Sequence, residues 1–280
     1  MIFDCHTHVF GPGHCFPEQV EAGKRVWGDK YKETTLPEEH WEHVKDIDGA
    51  VVLAFDAAAT GTVVPNEYVA EYVSRHPGKL YGFASVDPNR ENAARLLEEA
   101  IKGLNLCGLK LAPIYQNFYP EERRHFELYA KANELKVPIL FHQGTSYVSE
   151  GYLDASRSAS LDPIAREFPD LTIVIAHMGH PWIDECIAVV RKHKNMYMDL
   201  SALCGRPWQF YNALVSAMEY GVPHKILLGS DYPFFTITET IEALRNVNHL
   251  VEGTKLPRIP DEMIEGIIHR HTPELLGLVK

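Results

Sequence analysis

Fifteen histidines mark this 280-residue sequence, and four of them, with one aspartate, stand where apolar runs end. His6-Thr7-His8 closes the first run, His142 follows VPILF, His177 follows LTIVIA, and Asp231 follows ILLGS. Residues two apart on an extended strand project to one side, about 6 to 7 Å apart along the chain, so His6 and His8 form a chelating pair. Four imidazoles and a carboxylate, with no thiolate placed to compete, make a nitrogen-and-oxygen donor set. It suits Zn2+, and Mn2+ or Fe2+ with less preference. A divalent ion bound there would lower the pKa of water from about 15.7 towards 7, and the resulting hydroxide would attack an amide, lactone or ester carbonyl.

Residues so far apart in the chain need a scaffold that brings strand ends together. Short apolar runs rich in β-branched residues recur at 2–5, 50–55, 80–86, 108–111, 137–141, 171–176, 196–200 and 225–228, each followed by a stretch with helical spacing. Runs such as VVLAF and LTIVIA suit parallel strands covered on both faces. Eight such units in this length predict an α/β fold, a (β/α)8 TIM barrel forming one domain over 1–280, with the polar residues delivered to the C-terminal strand ends. Asp87-Pro88 and Asp162-Pro163 read as helix starts, the first followed by the stripe Ala93, Leu96, Leu97, Ala100, Ile101 and Leu104. Thr272-Pro273 opens a short terminal helix suited to covering one barrel end. Residues 10–36 form the one long irregular stretch, and its place directly after a strand makes it a lid.

Composition narrows the partners. Lys+Arg 27 against Asp+Glu 38 gives a net charge of −11, which argues against nucleic acid and anionic lipid and leaves a small molecule as the expected ligand. The N-terminus shows no secretory pattern, and no apolar run nears the roughly 20 residues of a membrane span. Five scattered cysteines without C-x-x-C point to a reducing cytoplasm. His40, His43, His76, His125, His193, His224, His249 and His269 lie away from the strand ends and are expected at solvated or helix-terminal positions.

Taken in order, His6-x-His8, FHQG around His142, AHMGHP around His177 and GSDYP around Asp231 resemble the amidohydrolase superfamily. Within it they resemble the amidohydrolase-related group that includes aminocarboxymuconate semialdehyde decarboxylase and γ-resorcylate decarboxylase. The resemblance implies one metal held by His6, His8, His142 and Asp231, with His177 near the bound water or substrate as acid/base and Asp231 sharing the proton transfer. Binuclear members of the superfamily place a second metal on the residues matching His142 and His177, bridged by a carboxylated lysine. Lys110 lies near that position, and suits equally a point charge for an acidic substrate. The implied activity is hydrolysis of a small acidic or cyclic amide, lactone or ester. Its alternatives are nonoxidative decarboxylation of a small aromatic or muconate-like acid, and metal-free opening of a lactone. Arg206 and Lys110 offer cations for the substrate's acid group, Arg25 being a weaker candidate, and Tyr115 offers an aromatic contact. Pairing of two barrels into a homodimer through their outer helices is a further expectation.

Overall fold

The computed structural model describes residues 1–279. Eight parallel strands follow one another in chain order: β1 (Phe3–His8), β2 (Gly49–Leu53), β3 (Leu80–Ser85), β4 (Gly108–Leu111), β5 (Ile139–Phe141), β6 (Ile173–Ile175), β7 (Met196–Asp199) and β8 (Ile226–Leu227). The chain beyond β8 bonds back to β1: Cys5 N–H donates to Leu228 O (3.0 Å), Asp231 N–H to His6 O (2.9 Å) and His8 N–H to Tyr232 O (2.8 Å). The fold is a TIM barrel, with strands where the eight apolar runs placed them.

Both strand faces are buried, which is why the runs are nearly continuous in apolar character. Phe3, Cys5, Val51, Leu53, Phe83, Leu140, Val174, Ala176 and Leu227 fill the barrel interior. Ala50, Val52, Leu109, Ile139 and Ile173 pack outward in the layer shared with the helices. Leu276, just after the terminal helix Thr272–Leu275, packs on the interior cluster and covers one barrel end.

The first strand is not regular. Its partners in β2 run Phe3–Gly49, Asp4–Ala50, then Thr7–Val52 and His8–Leu53, so Cys5 and His6 together face Val51. This two-residue bulge changes which side of the sheet the following side chains occupy.

Two local expectations are corrected. The helix after β3 is Ala93–Leu104, beginning later than Asp87-Pro88, because the Asp87 carboxylate accepts the Asn89 backbone and side-chain amides (both 3.0 Å) and holds a turn there instead. Residues 10–36 are not irregular throughout, since they contain the helix Pro17–Trp27, with proline in its first turn. Gly23 lets that helix lie on Tyr31, where an added Cβ would come within 2.0 Å of the ring. Phe10 and Thr35 exchange two backbone bonds (2.9 and 2.8 Å) that draw the ends of the excursion together. Among the described residues, no helix is long and apolar enough to cross a membrane.

Phe83 is fully buried inside the barrel against Gly108. Phe83→Ala is expected to cost about 3–5 kcal/mol, read by denaturant unfolding.

Candidate functional site

The C-terminal strand ends bring most of the sequence-predicted residues into one mouth. The rings of His6 and His8 lie 5.2 Å apart, and their Nε2 atoms stand 3.4 and 3.5 Å from Asp231 Oδ1. The donor atoms of these three residues all fall within 4.8 Å of one another. His177 lies 5.0 Å from His6, ring to ring, and its Nε2 is 3.1 Å from His142 Nδ1. His142 is thus paired with His177 beside the His6–His8–Asp231 group, not seated within it. Asp231 (φ 66°) and His177 (φ 56°) are both left-handed non-glycine residues, and such strain concentrates at functional sites.

The surrounding acceptors assign the imidazole tautomers. Ser201 O–H donates to the Asp199 carboxylate, so Ser201 Oγ accepts from His177 Nδ1–H (2.8 Å), leaving a lone pair on His177 Nε2. His142 Nε2–H donates to Thr145 O (3.3 Å), leaving a lone pair on Nδ1. His6 Nδ1–H donates to Asp199 Oδ2 (3.0 Å), leaving Nε2 directed at Asp231 and Lys110. Lone pairs of His142 and His177 therefore face each other at 3.1 Å, an arrangement that a shared proton or a cation relieves. The donor set fits a divalent metal.

Electrostatics favour the same state. Burial pushes His6 and His142 well below the ordinary imidazole range, reinforced by Lys110 at His6 and by His177 at His142. Burial also lowers His8. All three are held neutral, the form that ligates. At Asp231 burial acts upward, but the hydrogen bond to His8 and the polar field of the adjoining imidazoles outweigh it, so the carboxyl stays well below the usual range. Lys110 Nζ lies 3.2 Å from His6 Nε2, and burial pushes its ammonium down to about 8 against the pull of Asp231 and Asp199.

These groups line a cavity of about 300 Å3 shared with Tyr115, Arg206 and Trp27. The Tyr115 ring stands edge-on to His142 at 4.9 Å, and burial pushes its phenol up to about 12, keeping it a donor. Arg206 donates to Ala202 O (3.0 Å) and lies 6.0 Å over the Trp27 ring. Arg25 instead binds Tyr147 O (3.2 Å).

Sequence reading missed Asp199 and Ser201. Asp199 ends β7 and is fully buried, accepting from the backbone of His177 (2.9 Å) and Ser201 (3.0 Å) as well as from His6. An acidic residue closing an apolar run was the available signal, the same one that marked Asp231. His40 is corrected too, since it lies within the helix Pro37–Val44 and is buried between Tyr72 OH (2.8 Å) and Thr7 Oγ1 (2.7 Å). His125 stands at a helix end as expected, just before the helix Phe126–Leu135, and is buried against Pro88 O (3.1 Å).

The sequence profile of the amidohydrolase family matches residues 3–270. No curated protein sequence matches the chain. Among solved structures, an uncharacterised TIM-barrel protein from Bordetella bronchiseptica aligns with a TM-score of 0.75 at 21% identity, covering 99% of this chain and 98% of its own. A probable 2-pyrone-4,6-dicarboxylic acid hydrolase from Acinetobacter baumannii, with citric acid bound, aligns at 0.70 and 15% identity, covering 99% of both chains. A dihydroxybenzoic acid decarboxylase from Polaromonas sp. JS666, with bound manganese and the inhibitor 2-nitroresorcinol, aligns at 0.70 and 17% identity, covering 99% of this chain and 97% of its own. At such identities these likenesses speak for the shared barrel alone.

Asp199→Asn places an amide where His6 needs an acceptor, favouring the tautomer that blocks His6 Nε2. The variant is expected to stay folded and to bind Zn2+ roughly 10- to 100-fold more weakly, measured by competition with a chromogenic chelator.

Proposed function

The chain belongs to the amidohydrolase family, and on that premise we propose that it is a metal-dependent hydrolase of the amide, lactone or ester bond in a small cyclic acid. The observation that carries this reading is the meeting of four imidazoles and one carboxylate at the mouth of a cationic, aromatic-walled cavity. His6, His8 and Asp231 would hold one divalent ion with His142 completing the set, Zn2+ by the character of the donors and Mn2+ as the alternative. Such an ion acidifies water and polarises the carbonyl under attack.

The protein's own groups supply the proton transfers and the binding. With Nδ1–H tied to Ser201, His177 Nε2 takes the proton of the attacking water and returns it to the leaving oxygen or nitrogen. The Asp199–Ser201 pair steadies the imidazolium that forms between these steps, and Asp231 is a second proton acceptor. Lys32, Lys110 and Arg206 line the cavity with Asp231 as the carboxylate opposing them, in a chain whose net charge is −11. That local reversal of sign favours an anionic substrate. Tyr115, Phe55, Phe234 and Trp27 offer flat apolar surface for a ring, and residues 10–36 act as the outer wall. Five free thiols fit a reducing compartment such as the cytoplasm.

One feature favours decarboxylation as a second reading. The buried Lys110 ammonium stands against the donor cluster, where it would hold a carboxylate while His177 protonates the carbon losing CO2. A panel of lactones, cyclic amides and hydroxybenzoates separates the two, with acid release and CO2 release measured independently on protein purified without chelators. We expect one equivalent of metal and acid release. His177→Asn should lower kcat by about 10²- to 10⁴-fold with the metal retained, and His8→Ala should lose metal and activity together. CO2 release alone would establish the decarboxylase, and full activity in metal-free His8→Ala would overturn metal dependence.

A further inference from the structure

We infer that Thr7 and His40 are positioning residues that lock the bulge in β1 and thereby turn His6 and His8 into the barrel mouth. Phe3 and Cys5 point into the barrel. Regular alternation from Cys5 would send His6 and His8 outward to the helices and Thr7 inward. The extra residue at Cys5–His6 reverses that assignment, so the direction of both imidazoles depends on the bulge persisting.

A bulge leaves backbone groups without ladder partners. Two side chains of β1 supply them. His6 N–H donates to Asp4 Oδ1 (3.2 Å), and Val51 O, opposite the bulge, receives Thr7 O–H at 2.5 Å. Asp4 is held in turn by Ser230 N–H (2.9 Å) and Ser230 O–H (2.6 Å).

The Thr7 hydroxyl has one proton, and Val51 O takes it. Its oxygen must then accept from His40 Nε2–H (2.7 Å), and His40 Nδ1 must accept from Tyr72 O–H (2.8 Å). Each proton in the row Tyr72–His40–Thr7–Val51 thus has one direction. His40 is fully buried on the helix Pro37–Val44, and burial pushes its imidazole down to about 3, keeping it neutral. A buried polar side chain is costly unless partnered, and an apolar residue would fill the same space. What His40 adds is a donor that aims the Thr7 hydroxyl at the bulge. Without it, β1 relaxes by one residue and both imidazoles leave the mouth.

The link to metal binding rests on the proposed ligand set, whereas the link to strand register does not, so the test reads both. Co2+ titration followed by visible absorption reports the ligand geometry, and crystal structures of the variants report the β1–β2 pairing. Thr7→Val keeps the shape and removes the hydroxyl. It is expected to fold, to bind Co2+ roughly 10- to 100-fold more weakly with an altered spectrum, and to pair His6 with Val52; Thr7→Ser should restore all three. His40→Asn, which loses the far donor, should follow Thr7→Val, while His40→Gln, which keeps a donor at similar reach, should follow the unsubstituted protein. These two decide the matter if Thr7→Val does not fold. Unchanged Co2+ binding in folded Thr7→Val and His40→Asn, or an intact bulge in their crystal structures, overturns the proposal. If the unsubstituted protein binds no Co2+, the metal reading falls and the register alone decides.

Discussion

Across the seam where the barrel closes, Asp231 N–H donates to His6 O at 2.9 Å, and this contact sets the spacing of the donor cluster. His6 and His8 come from the first strand and Asp231 from the turn after the last, so they become neighbours only when the ring is complete. Flanking bonds from Cys5 to Leu228 and from His8 to Tyr232 hold the same seam. Structural closure and assembly of the cluster are therefore one event, which ties any chemistry at the mouth to the integrity of the whole barrel.

The fold was legible because strands buried on both faces leave continuous apolar runs, and because four of those runs are followed within three residues by His6, His142, His177 and Asp231. The same logic found the five principal site residues. It stopped short where the deciding contact is distant. That His6 and His8 share a side follows from their spacing, but which side depends on the Thr7–Val51 bond, 44 residues apart, and on His40 in a separate helix. Asp199 escaped because its partners His6 and His177 come from other strands, although its setting after MYM resembles that of Asp231. Asp87-Pro88 misled because an aspartate that caps a helix and one that closes a turn look alike until its acceptor oxygens are placed.

Charge is distributed against the average of the chain. A protein of net −11 gathers lysine and arginine around a cavity where burial keeps His6, His8 and His142 neutral. Neutral imidazoles offer lone pairs, and the cations draw an acid towards them, so binding and reactivity draw on separate residues of the same wall.

The paired bonds between Phe10 and Thr35 give the excursion after β1 a narrow neck. Beyond that neck the excursion is fastened again to the barrel's other loops, Phe16 N–H donating to Gly61 O (2.7 Å), Val63 N–H to His14 O (2.8 Å) and Arg25 to Tyr147 O (3.2 Å). The outline offered to a ligand is therefore set jointly by the excursion and by the loops at Gly61 and Tyr147 that hold it, so a change in any of these three segments reshapes the same wall.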